Sequence, residues 1–168
     1  MKQIVLTIAV LFTAFITPTK AQGPGAKKDF NQVLKSYFDT KNALAKDDAV
    51  LANSAAEKLI ESINALKVNG LTAEQQIAWK KQSLELKTFI EPVVADKALK
   101  TQRKSFEKVA SAMIKLAKTI NLNNSDIYIQ YCPMVKRSWL NDVKAVQNPF
   151  YGSKMYDCGE VTETIAKK

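Results

Sequence analysis

The chain has 168 residues, a formal net charge of +9 and no histidine. That length suits a single domain with a real hydrophobic core. The missing histidine excludes Ser-His-Asp and Cys-His catalysis, His-ligated zinc and a histidine pH switch. Any transition-metal site must therefore use sulfur, carboxylate or backbone oxygen.

Residues 1–21 read as a secretory signal peptide. Lys2 supplies the positive start, and Ile4 to Ile16 is an apolar run of h-region length. The run is too short to span a bilayer, which takes roughly 20 apolar residues. Thr19-Lys20-Ala21 places small residues at the positions a cleavage site needs, and no cysteine stands there for a lipid anchor. Removing Lys2 and Lys20 takes two from the formal charge of +9, leaving +7. The mature chain from Gln22 is expected to be periplasmic or secreted, in a compartment where disulfides persist. No second apolar run is long enough to cross a membrane, so the cleaved product is expected not to span one.

Gln22 to Lys28 carries Gly23, Pro24 and Gly25 and reads as a flexible lead-in. From Asp29 the pattern predicts a helix, with Phe30, Val33, Leu34, Tyr37, Phe38 and Leu44 on one face. Lys46-Asp47-Asp48 interrupts it, and either aspartate can cap a second helix. The second apolar face is Ala52, Ala55, Ala56, Leu59, Ile60, Ile63 and Leu66. Asn69-Gly70 is expected to stop it, with Gly70 at positive φ. Thr72-Ala-Glu-Gln75 is a capping box that opens a third helix. Its expected buried positions are Ile77, Leu84, Phe89, Val93 and Val94, and Pro92 is expected to kink or end it near Glu91. Asp96 can cap a fourth helix, in which Leu99, Phe106, Val109, Met113, Leu116 and Ile120 form the inner face. Lys97, Lys100, Lys104, Lys108, Lys115 and Lys118 form the outer one.

These elements predict an all-α fold. It comprises an antiparallel four-helix bundle over 29–121 and an irregular Cys/Met/aromatic C-terminal cap over 122–168. Within the cap, Ile127 to Tyr131 is β-branched and aromatic and suits a short strand. Asn148-Pro149 and Gly152 are turn signals. Tyr128, Tyr131, Trp139, Phe150, Tyr151 and Tyr156 are expected to pack the cap on the helices.

Both cysteines lie in the cap, each with a methionine nearby: Cys132-Pro-Met134 and Met155-Tyr-Asp-Cys158. Two readings stand open. In one, Cys132 and Cys158 form a structural disulfide closing a loop of about 27 residues, a contribution of about 3 kcal/mol. In the other, Cys132, Met134, Met155 and Cys158 converge as a soft metal site suited to Cu(I) or Ag(I). The chain lacks Cys-x-x-Cys, which argues against thiol–disulfide catalysis. No carboxylate pair suggests acid–base work, so no enzyme is expected. The lysine face reads as solvated surface able to meet an anionic surface or partner, and no motif suggests nucleic acid.

The stretches Tyr37-Phe38, Ala43 to Asp48, Ala52, Ala55 and Ala56 resemble the opening of an uncharacterised bacterial secreted helical family. Asp96, Gln102-Arg103 and Phe106 resemble its middle. Its end is resembled by Tyr131 to Met134, Trp139-Leu140, Asn148 to Gly152, Met155 and Cys158-Gly159. Phe150 departs from the tyrosine expected there. Similar domains occur on periplasmic adaptor subunits of copper/silver-type efflux pumps. The resemblance thus implies metal handling beside a metal-efflux component.

Overall fold

A computed structural model describes residues 23–168; the expected signal peptide lies outside the described residues. Four helices come first: α1 (Pro24–Ala45), α2 (Ala49–Ala65), α3 (Ala73–Ala95) and α4 (Leu99–Ile120). Three strands follow: β1 (Ile127–Cys132), β2 (Arg137–Asn141) and β3 (Glu160–Ile165). They form one antiparallel sheet in the order β2-β1-β3. The all-α expectation is corrected accordingly, and the cap is not irregular but built on this sheet.

The expected lead-in is also corrected, because α1 begins at Pro24. Proline suits the first helical position, where its missing N–H costs nothing and its φ is already helical. The Gly23 N–H donates to the Gly70 carbonyl at 3.2 Å, tying the start of α1 to the turn after α2. Asp48 caps α2 by accepting the Leu51 N–H at 2.8 Å. The helix ends at Ala65, and Val68–Gly70 forms a single 3-10 turn. Gly70 does not have positive φ. Its need for glycine is spatial: a Cβ there would lie 2.8 Å from the Ala26 Cβ and 3.2 Å from Gly23.

The Thr72–Gln75 capping box forms in full. The buried face of α3 matches the expected one only towards its end, where Val93 is buried and Phe89 and Val94 are half-buried against the core. Gln75, Trp79, Leu86, Ile90 and Val93 are buried, whereas Ile77 and Leu84 are 73% and 64% exposed. Pro92 neither ends nor precedes the end of α3 by much; the helix continues to Ala95. Asp96 does not cap α4 from the N-cap position, which is Ala98, but its carboxylate accepts the Ala98 N–H at 2.7 Å. The inner face of α4 is as expected, apart from a half-buried Leu99, and all six lysines of the outer face are exposed. Asn121 ends α4 in the left-handed region at φ 47°.

Side chains link consecutive helices end to start. Asn53 of α2 donates to the carbonyls of Val93, Val94 and Asp96. Gln75 of α3 donates to the Ile120 carbonyl at 2.6 Å. These links set the first turns of α2 beside the end of α3, and the start of α3 beside the end of α4. The sheet packs where α1 and α4 would otherwise close on each other. Tyr37 of α1 stacks on Phe106 of α4 at 5.4 Å, and its buried hydroxyl accepts the β2 Leu140 N–H at 3.1 Å. Phe106 meets Phe150, which in turn meets Trp139 edge-on at 5.9 Å. Of the expected cap aromatics, these two carry the packing.

A polar clasp secures the far end of the cap. Arg103 of α4 donates to the Leu44 and Pro149 carbonyls and pairs with Asp47. Asp47 also accepts the backbone N–H and hydroxyl of Ser153. The Ser153 hydroxyl and Arg103 hold the Asp47 carboxyl down at about 2. Gly152 threads this clasp at φ 60°, where a Cβ would overlap the Asp47 carboxylate and the Arg103 guanidinium.

Two stability measurements check this packing. Trp79→Ala should cost about 3–5 kcal/mol by opening the core, while Ile77→Ser should stay within about 0.5 kcal/mol. Chemical denaturation of both variants would show whether the α3 face is assigned correctly. Gly152→Ala should cost about 2 kcal/mol or more from strain and overlap. By contrast, Gly25→Ala, with no atom within 4 Å of the added Cβ, should be neutral or stabilising by up to about 1 kcal/mol.

Candidate functional site

The antiparallel sheet brings the two cysteines together. Cys132 ends β1, and the β1–β3 register pairs Tyr131 with Glu160. Continued by one residue, that antiparallel register sets Cys132 opposite Gly159, next to Cys158. The two thiol sulfurs lie 3.2 Å apart, within hydrogen-bond reach. Both are free thiols here, and the gap exceeds the ~2.05 Å of a bonded pair. The disulfide reading is therefore not the form this structure takes.

Three local features build this contact. First, Pro133 to Lys136 form the β1–β2 hairpin loop, with Lys136 at φ 55° and its N–H donating to the Cys132 carbonyl at 2.8 Å. Second, Asn148 accepts the N–H groups of Phe150 and Tyr151 on its side-chain oxygen. It donates through Nδ2 to the Cys158 carbonyl at 3.0 Å, and its backbone N–H donates to the Tyr156 carbonyl at 2.7 Å. Third, Gly159 sits at φ 145°, where a Cβ would come within 2.8 Å of the Tyr131 carbonyl oxygen and 3.1 Å of the Trp139 ring. Only glycine lets the chain after Cys158 approach β1 this closely.

The two thiols are unlike. Cys132 is fully buried and Cys158 half-buried. Burial pushes the Cys132 thiol up, but the Val135 N–H, the Cys158 thiol, the Met134 N–H and the Asn148 side chain favour its thiolate. Together they outweigh burial and hold Cys132 below its ordinary value. The Cys158 thiol is pushed up, chiefly by its contact with Cys132, then by burial and the charges of Cys132 and Asp157. Of the two, Cys132 is the sulfur whose surroundings favour the thiolate and Cys158 the one whose surroundings favour the thiol.

The methionines are placed differently. Met155 closes the 3-10 turn Gly152–Met155, and its carbonyl accepts the Cys158 N–H at 3.2 Å. Met134 stands in the hairpin loop, two residues past Cys132, and is 60% exposed. The structure brings Cys132 and Cys158 together, with Met155 on the adjoining turn and Met134 on the loop at the solvent side. The donor set at the pair is soft sulfur. Among the described residues, no three His, Cys, Asp or Glu side chains gather where one ion would sit. Two sulfur donors at contact are of the soft kind that suits monovalent soft ions in general.

A buried polar centre escaped the sequence reading. Lys41 of α1 is fully buried, donating to Asn141 Oδ1 at 2.5 Å and Gln147 Oε1 at 2.7 Å. Asn141 donates to Gln130 Oε1, and Gln130 donates to the carbonyls of Val143, Lys144 and Ala145. This network folds the loop after β2 over the sheet. Burial lowers the Lys41 amine to about 8, against the charge of nearby Asp142. The signal was in the sequence: Lys41 falls four after Tyr37 and three before Leu44, inside the apolar stripe of α1.

A family model described as a protein of unknown function (DUF3347) matches residues 33–125. The match spans most of α1 and all of α2 to α4, and stops before β1, so it includes none of the four sulfur residues. No curated protein and no solved structure matches the chain.

Because the amine in the folded chain sits at about 8 rather than 10.5, the unfolded chain binds the proton more tightly. Folding then carries the cost of a buried charge below pH 8, and the cost fades as pH rises toward 10.5. The stability of the wild type relative to Lys41→Met should therefore climb between pH 8 and pH 10. Paired thermal melts across that range would show it, and parallel curves would refute it.

Proposed function

The chain belongs to the DUF3347 family of proteins of unknown function, and we propose that it is a non-enzymatic module that holds a soft monovalent metal ion, Cu(I) or Ag(I), at Cys132 and Cys158. One observation carries the reading: two thiols far apart in sequence meet at 3.2 Å. The groups around Cys132 favour its thiolate form. Thiolate and thioether sulfur suit Cu(I) over harder ions. Met155 on the adjoining turn would supply a thioether, and Met134 would extend the site toward solvent. When bound, such an ion would be held by these sulfurs, and the protein's part is to keep them close and shielded. The apolar segment at 4–16 supports export. A periplasmic setting beside a metal-efflux component, and contact of the α4 lysine face with an anionic surface, belong to the same proposal.

A second reading has the same support at 3.2 Å: in an oxidising compartment the pair would close as a structural disulfide. The chain would then serve as a structural or interaction module held by that link.

Competition titration with a chromophoric Cu(I) chelator tests the first reading. The reduced wild type should take one ion per chain, and Cys132→Ser or Cys158→Ser should abolish it. Met155→Leu should weaken it by about tenfold, near 1.4 kcal/mol. Reduced wild type that binds no better than the double serine variant would overturn the proposal.

A further inference from the structure

We propose that Cys132 and Cys158 form a dithiol–disulfide exchange centre, in which Cys158 takes up a small external disulfide and Cys132 resolves it. This stands on the sulfur geometry alone and holds whether or not the pair binds metal. A Cys-x-x-Cys motif achieves proximity by sequence, whereas here the β1–β3 register achieves it across 26 positions. The sulfurs are already at contact distance, so closing the bond needs only a small movement.

The two positions divide the labour. Cys132 has no exposed surface, ends a central strand and is braced by the hairpin loop. It cannot meet an external disulfide. Cys158 is half-buried and lies between the 3-10 turn and the edge strand β3, so it is the sulfur a reagent can reach. Asp157 beside it and Met134 across the loop are exposed, leaving an open approach that suits a low-molecular-weight disulfide of the glutathione type.

The steps balance. The Cys158 sulfur, giving up its proton, attacks one sulfur of the external disulfide and expels the other as a thiolate. The Cys132 sulfur, giving up its own proton, then attacks the Cys158 sulfur, breaks the mixed disulfide and expels the second thiolate. The two expelled thiolates take the two protons the cysteines lost. The protein dithiol is oxidised by two electrons, and the small disulfide is reduced to two thiols. In the closed form neither sulfur is free to bind an ion, so exchange also switches the site proposed above.

Metal-free protein and oxidised glutathione test this by intact mass and peptide mapping. The wild type should lose two hydrogens with no lasting adduct, and two glutathiones should be released. Cys132→Ser should stop at a single glutathione on Cys158, while Cys158→Ser should react at least about tenfold more slowly. Brief iodoacetamide treatment of the native wild type gives a measurement that needs no variant, and Cys158 should be alkylated well before Cys132. Equal labelling of the two cysteines, equal rates in the two variants, or a wild type that keeps the adduct without closing would overturn the proposal. Failure of Cu(I) binding would leave these outcomes unchanged.

Discussion

The structure depends on how Tyr37 joins the helices to the sheet. It is fully buried, its ring lies against Phe106, and its hydroxyl accepts the Leu140 N–H. A buried phenol must find a partner for its oxygen, and here a strand provides it. The sheet therefore does not sit on a finished set of helices. It completes them, filling the seam between α1 and α4 with Trp139, Leu140 and Phe150. Lys41, one turn further along α1, extends the same join with a charged group that holds Asn141 and Gln147. Such a buried cation is costly unless paired and hydrogen-bonded. In return it ties Gln147 of the loop after β2 to α1.

From that join the chain carries order outward to the sulfur pair. The Arg103–Asp47 clasp holds the 149–153 segment to the α1–α2 turn. Asn148 converts that fixed segment into a fixed Cys158 carbonyl. Gly152 and Gly159 are the two places where a side chain would block the path. The sulfur contact is thus the end of a chain of constraints that starts in the helices, inside the stretch the family model matches, and finishes beyond it.

Much of the helical part was legible in the sequence, and for physical reasons. Thr72 and Gln75 announce a helix start by local chemistry, and α4 has a single apolar stripe opposite a lysine stripe. The third helix misled because it carries two apolar stripes. One holds Ile77 and Leu84; the other holds Trp79, Leu86, Ile90 and Val93. Periodicity cannot choose between stripes, whereas packing of the large Trp79 ring can. Gly70 was the right residue for the wrong reason: sequence suggests a free φ, but the fold needs a missing Cβ against Ala26. Strand β1 was readable from its β-branched and aromatic run. Strand β3, Glu160-Val-Thr-Glu-Thr-Ile165, was not, because an edge strand needs little apolar surface and can show Glu and Thr outward. Missing β3 meant missing the register that brings Cys158 to Cys132.

The sequence left the cysteines with a choice between holding each other and holding an ion. The geometry recasts the choice as one of state. Sulfurs at 3.2 Å are neither a bond nor an open cage; they are a dithiol at contact. Symmetric surroundings would make the two sulfurs equivalent, and such a pair would have no preferred order of reaction. Here one sulfur ends a central strand under full burial, and the other lies on a short link beside an edge strand with access to solvent. The asymmetry follows from the sheet order β2-β1-β3, which puts Cys132 on the middle strand and Cys158 at the entry to an outer one. A soft ion and a small disulfide would both arrive from the Cys158 side, and both would be completed by the shielded Cys132.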